Sequence, residues 1–90
     1  MTEPREAMIK RLHMRSMRRG IKEMDLILSA FASEHLAAMS DDELALYDQL
    51  LSENDHDIYA WVSGQFATPD HYAGLIGRIA QGAHGVTRTA

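Results

Sequence analysis

The sequence predicts an all-α protein, a compact bundle of about five short helices. Three observations carry this expectation. Apolar residues recur every third and fourth position along most of the chain, residues that cap helices stand before several of these runs, and no segment alternates apolar with polar residues as a half-buried strand does. Ninety residues suffice for one domain, and a content of 46% hydrophobic and 24% charged residues is too apolar for a disordered chain.

The first helix is expected from Arg5 to Met17, where Met8, Ile9 and Leu12 share a face and the basic residues occupy the outer side. Gly20 then ends or bends it. A second helix is expected over 21–37, with Met24, Ile27, Leu28, Phe31, Ala32 and Leu36 inward and Lys22, Asp25, Ser29 and Glu34 in solvent. Ser40 followed by Asp41, Asp42 and Glu43 reads as a capping box, in which the Ser40 hydroxyl takes the Glu43 N–H and the Glu43 carboxylate takes the Ser40 N–H. Met39 before the cap is positioned to staple onto Leu44. The third helix then turns Leu44, Tyr47, Leu50 and Leu51 inward and ends near Ser52. A fourth starts at Asn54 or Asp55, repeats Ile58, Trp61 and Val62, and stops at Gly64. Thr68 and Pro69 repeat the grammar of a helix start, a capping hydroxyl and then a residue whose missing N–H costs nothing in the first turn. The fifth helix carries Tyr72, Leu75, Ile76 and Ile79, and Gly82 with Gly85 is expected to fray or end it. The expected organisation is a single helical domain over 1–82 with a flexible tail over 83–90. Phe31, Tyr47, Trp61 and Phe66 are expected to form its internal aromatic group.

Net charge is -4, but it is unevenly spread. Residues 1–20 sum to +4, residues 21–70 to -10 and the last twenty to +2. An acidic body with a basic N-terminal end repels a nucleic-acid backbone over most of its surface and attracts an acidic protein locally, so a protein partner is expected and nucleic acid is not. Absence of Cys removes disulfides, thiolate nucleophiles and cysteine-ligated zinc. No apolar run approaches the roughly 20 residues of a membrane span. Together with Glu3 and Glu6, acids that suit a mitochondrial presequence poorly, this leads to the expectation of a bacterial cytoplasmic protein without stable membrane insertion.

Catalytic chemistry is not visible. His13, His35, His56, His71 and His84 fall in different elements with no close ligand spacing, so no metal site is expected. Asp41, Asp42, Glu43, Asp55 and Asp57 are explained by capping and solubility. Neither a dinucleotide fingerprint nor a phosphate-cradling Gly-Lys motif occurs, so no catalytic residue, no cofactor-binding residue and no stably bound cofactor is expected.

The cluster that resists a purely structural reading is Arg18, Arg19, Gly20, Glu23 and Asp25, at the junction of the first two helices. One reading is local: Arg19 and Glu23 are four apart and pair across a helix face beside a turn. The other is functional: Gly20 lets a partner's backbone approach, Arg19 offers a directional donor fork and Glu23 an acceptor. The run Arg18, Arg19, Gly20, Ile21, Lys22, Glu23, Met24, Asp25 resembles the Arg-Gly-x-x-Glu region of the succinate dehydrogenase assembly factor family. Agreement continues through Phe31, the Ser40 to Glu43 cap, Leu50 and Leu51, and Asp57 with Trp61, about 60 of the 90 residues. The resemblance implies a helical factor, not an enzyme, that binds the flavoprotein subunit of succinate dehydrogenase and promotes covalent attachment of FAD. A fumarate reductase flavoprotein is a further candidate partner, and FAD belongs to the partner. Arg19, Gly20 and Glu23 match the family's functional surface, with Arg18 and Asp25 as accompanying positions. A small helical regulator of another complex is the alternative reading. On the functional reading Arg19 lies in an exposed turn, so replacing it with Ala is expected to spare the fold.

Overall fold

The computed structural model describes residues 3–87. Five α-helices follow one another: α1 Arg5–Arg15, α2 Lys22–His35, α3 Asp41–Leu50, α4 Asp55–Ser63 and α5 Ala73–Thr87. Single 3-10 turns at Leu36–Ala38 and Asp70–Tyr72 lead out of α2 and into α5. The described residues contain no strand, as the unbroken helical period requires. Helix α5 packs most extensively on α2 and then on α4, while α1 lies across α2 and α3. The radius of gyration, 12.5 Å, is that of a tightly folded chain of this length.

Local chemistry sets most boundaries. The capping box forms as expected, with Glu43 N–H donating to Ser40 Oγ at 3.2 Å and Ser40 N–H to Glu43 Oε1 at 2.8 Å. These bonds, the Ser40 N–H first, hold the Glu43 carboxyl below the ordinary carboxylate range. Asn54 caps α4 by accepting the His56 N–H at 2.8 Å. Gly64, at φ 82, closes α4 in the left-handed conformation that a residue without Cβ adopts freely. Met39 and Leu44, the expected staple, are both buried in the core.

That core is one cluster to which every helix contributes, from Leu12 through Leu28, Leu44 and Ile58 to Ile79. Tyr47 is fully buried against Phe31, ring centroids 5.5 Å apart, and its hydroxyl meets Ser16 Oγ at 2.6 Å. Ser16 is itself fully buried and donates to the Leu12 carbonyl at 2.7 Å, so the polar tip of the tyrosine is satisfied where water cannot reach.

Four expectations are corrected. Phe66 is not internal: it is 70% exposed. The N–H groups of Gln65 and Phe66 both return to the Ala60 carbonyl, which ties the loop to the end of α4, and Tyr72 takes the interior place beside Trp61 at 5.7 Å. Pro69 does not begin α5 but precedes the 3-10 turn, from which the helix proper starts at Ala73. Gly82 and Gly85 do not end α5, which continues to Thr87; Ala83 is buried in the core, and that packing offsets the weak helix propensity of its glycine neighbours. Helix therefore covers 83–87 of the expected tail, and residues 88–90 lie outside the described residues. Finally, α1 is not basic on its outer side alone, because three of its arginines reach α3 and the residues that flank it.

Candidate functional site

Helix α1 ends at Arg15 and α2 begins at Lys22, so the expected cluster straddles the six-residue link between them and the first turns of α2. Arg18 takes φ 56, and it is the only non-glycine residue at positive φ among those described. That residue immediately precedes the Arg-Gly pair. The chain bends at Gly20 as expected, but without a positive φ.

Arg19 does not pair with Glu23. Its guanidinium turns inward and ties three helix ends together. Nε donates to Asp55 Oδ1 at 2.8 Å, Nη1 to the Arg15 carbonyl at 2.8 Å and Nη2 to the Leu51 carbonyl at 3.1 Å. The charged groups are 12% and 17% exposed, so this ion pair is largely removed from water. Two of its acceptors belong to helix C-terminal ends, and Asp55 opens α4, so cation and anion each sit at the helix pole that favours them. The other oxygen of the same carboxylate, Asp55 Oδ2, accepts the Gly20 N–H at 2.7 Å. A Cβ on Gly20 would lie 3.1 Å from that oxygen. Glycine therefore eases the close approach of the carboxylate, which a Cβ would displace by a few tenths of an ångström, rather than serving a special backbone angle. These contacts make Arg19 an internal strut rather than the exposed turn residue expected, and they argue for a loss of stability in Arg19→Ala.

The remaining residues separate cleanly. Arg18, Gly20 and Glu23 are exposed, and Glu23 makes no ion pair or hydrogen bond among the described residues. Asp25 is half-buried and accepts from Ser29 Oγ at 3.3 Å; the same hydroxyl reaches the Ser16 carbonyl at 3.3 Å, joining α2 to the end of α1. The structure thus brings Arg19 and Gly20 together on Asp55, presents Arg18, Gly20 and Glu23 outward, and gives Asp25 a supporting place. Asp55 was missed as a site residue. Its position at a helix start made capping a sufficient explanation, and nothing local in the sequence points to Arg19 at a separation of 36.

Charge is redistributed in the same way. Arg11 bonds both Glu3 and Asp48, and Arg15 joins it on Asp48. The Arg11 bonds hold the carboxyls of Glu3 and Asp48 below their ordinary range, with Arg15 adding to the effect on Asp48. Arg5 is taken by Asp41 at 2.7 Å and Arg78 by Glu43 at 2.7 Å. Much of the positive N-terminal end is therefore neutralised within the fold. Among the described residues, no group of three or more His, Cys, Asp or Glu is placed to hold a metal ion, and no helix is long and apolar enough to cross a membrane.

The chain is thus a small helical bundle whose most elaborate polar network braces one turn, with Arg18, Gly20 and Glu23 facing outward from it. The chain belongs to the family described as flavinator of succinate dehydrogenase, whose sequence model matches residues 10–83. It is 50% identical over 64 residues to the mitochondrial succinate dehydrogenase assembly factor 2 of Meyerozyma guilliermondii, covering 71% of this chain and 47% of that protein. With the mitochondrial assembly factor 2 of Saccharomyces cerevisiae it shares 46% identity over 74 residues, 79% of this chain and 46% of the other. The mitochondrial assembly factor 2-A of Drosophila yakuba is 42% identical over 92 aligned positions, covering 96% and 57% of the two chains. The chain spans about half the length of these relatives. By name they are assembly factors, not enzymes, and they bear out the resemblance carried by the Arg-Gly-x-x-Glu run. They also correct one expectation: the relatives are named mitochondrial, which overturns the bacterial cytoplasmic assignment. That assignment leaned on Glu3 and Glu6, two acids that the structure instead places at the start of the bundle, Glu3 as a partner of Arg11 and Glu6 in the first turn of α1.

Proposed function

We propose that this chain binds the flavoprotein subunit of succinate dehydrogenase through the turn between α1 and α2 and promotes the covalent attachment of FAD to that subunit. The observation that carries the reading is the pairing of an exposed Gly20 and Glu23 with a turn held rigidly from behind by Asp55. A surface already fixed in shape pays little ordering entropy when a partner closes on it. The match to a family described as flavinator of succinate dehydrogenase supports succinate dehydrogenase as the assembly served and flavin attachment as the step assisted.

The division of labour follows from burial. Arg18, Gly20 and Glu23 face the partner, whereas Arg19 and Asp25 hold the turn in position. The chain brings no cofactor-binding fold of its own to the reaction. Its contribution is to hold the flavoprotein in an arrangement productive for its own chemistry, a positioning effect. FAD stays with the flavoprotein throughout.

Glu23 supplies the cleanest test, because it is exposed and makes no intramolecular bond among the described residues. In cells lacking the native factor, a Glu23→Ala chain is expected to express stably and unfold at the same temperature as the unmodified chain. It should leave the flavoprotein with little covalent flavin, read as flavin fluorescence in a denaturing gel. Full flavinylation by that variant would reject the docking surface, and failure of the unmodified chain to restore flavinylation would reject the function.

A further inference from the structure

Beside the turn lies a feature that the Arg-Gly-x-x-Glu run does not include. Met14, in the last turn of α1, and Met17, two residues past its end, are 70% and 49% exposed, although large apolar side chains in a chain this small are needed for the core. With Arg18 they line a shallow cavity of about 210 Å³. A cavity of roughly 150 Å³ admits a benzene ring, so this one has room for a large apolar side chain.

Arg18 makes the cavity more than an apolar gap. Arg5, Arg11, Arg15, Arg19 and Arg78 are each engaged by a carboxylate, and Arg18 alone among the described arginines makes no hydrogen bond or ion pair. Its backbone is held at φ 56, a conformation unfavourable for a side chain of this kind and one that sets its position over the cavity's edge. An unpaired guanidinium beside two flexible thioethers suits a ligand that is apolar at one end and anionic at the other.

We propose that Met14, Met17 and Arg18 form an anchor pocket for a segment of the flavoprotein partner that presents an apolar side chain next to a carboxylate. The proposal rests on the function argued above and extends its surface by two residues outside the motif. Continuity supports the choice of occupant, since Arg18 is separated from Gly20 only by Arg19 and both face outward. Charge complementarity supports it too: the partner's carboxylate meets the cation that this fold leaves unsatisfied. The apolar contact supplies affinity, and the ionic contact supplies orientation and a faster encounter.

The test measures binding of the full chain to the purified flavoprotein subunit by titration calorimetry, alongside the oligomeric state of the free chain by sedimentation. The paired substitution Met14→Gln with Met17→Gln keeps unbranched side chains of similar length, and it is expected to weaken binding at least tenfold at an unchanged unfolding temperature. Arg18→Gly relieves the backbone at positive φ, so its unfolding temperature should hold or rise while its affinity falls and becomes less dependent on salt. Phe66→Gln, which alters an equally exposed apolar side chain in the α4–α5 loop, should bind as the unmodified chain does. Unaltered affinity in the methionine variant overturns the pocket while leaving the proposed function standing. A free chain that is dimeric until Met14 and Met17 are changed also overturns it, by making a second copy the occupant. If the unmodified chain does not bind the flavoprotein at all, the function itself falls, and the pocket with it.

Discussion

Truncating Arg19 to Ala removes the strut that joins the ends of α1 and α3 to the start of α4. The structure allows its cost to be worked out. Three hydrogen bonds are lost, to Asp55, Arg15 and Leu51, within an ion pair whose side chains are 12% and 17% exposed. Removing one partner of a buried pair costs about 3–5 kcal/mol, mainly because the other charge remains out of water. Asp55 keeps the Gly20 N–H and its favourable place at a helix start, which argues for the lower end, about 3 kcal/mol. In a domain of this size that corresponds to a fall of roughly 12–24 °C in unfolding temperature. The assay is thermal and urea unfolding of Arg19→Ala, Asp55→Ala and the double variant, read as a double-mutant cycle. A coupling energy near 2 kcal/mol is expected for groups in direct contact. A shift below about 4 °C for Arg19→Ala, or a coupling under roughly 0.5 kcal/mol, would refute the assignment of Arg19 as a strut.

Other perturbations test neighbouring parts of the same reasoning. Gly20→Ala places a methyl 3.1 Å from Asp55 Oδ2, and the entropic gain of about 0.4–1 kcal/mol from losing a glycine should be offset by displacement of that carboxylate. The net change by urea unfolding should stay within about 1 kcal/mol, and a loss above roughly 3 kcal/mol would show that the backbone itself forbids a side chain. Because Arg11 holds Glu3 and Asp48 below their ordinary range, the stability these acids contribute is present above that range and lost as pH falls through their lowered values. Unfolding temperature should therefore decline below about pH 4, and Asp48→Asn should lower it at neutral pH while flattening the acid limb; an acid limb of unchanged slope would place the effect elsewhere. At the other extreme, burial pushes Tyr47 up to about 12, and burial with the nearby Glu53 carboxylate does the same to Tyr72. A raised phenol stabilises the fold fully below its unfolded value near 10 and loses that contribution as pH rises towards 12, so alkaline unfolding should begin above about pH 10 and weaken in Tyr47→Phe.

What was legible in the amino-acid order is what neighbouring residues decide among themselves. Ser40 and Glu43 are three apart, and their reciprocal bonds form as their types and spacing require. Asn54 caps α4 and Gly64 closes it for equally local reasons. The apolar period placed Met24, Leu28, Tyr47 and Ile58 inside because a helix can turn only one stripe toward its neighbours. Phe66 and the end of α5 were misread because each depends on a contact made elsewhere in the fold. A loop tied to Ala60 holds the Phe66 ring outside, and burial of Ala83 carries α5 past Gly82.

The proposed docking site was half legible for the same physical reason. Its residues could be named from a short run, but their division into supports and contacts depended on partners more than thirty positions away. Asp41, Asp48 and Asp55 lie 36, 33 and 36 residues beyond Arg5, Arg15 and Arg19 respectively, and each converts a basic residue of the N-terminal end into part of the scaffold. Counting charges along the chain treats those arginines as equal contributors to an attractive surface. Pairing them leaves Lys10, Arg18 and Lys22 as the cations of that end without a carboxylate partner among the described residues, and Arg18 lines a cavity. On the proposed function, the attraction of an acidic partner is therefore focused on the cations that the fold leaves without a carboxylate. The fixed φ of Arg18 places one of them two residues before Gly20, whose N–H is held by Asp55, so on the proposed function the same turn carries both the charge that draws the partner and the carboxylate that braces it.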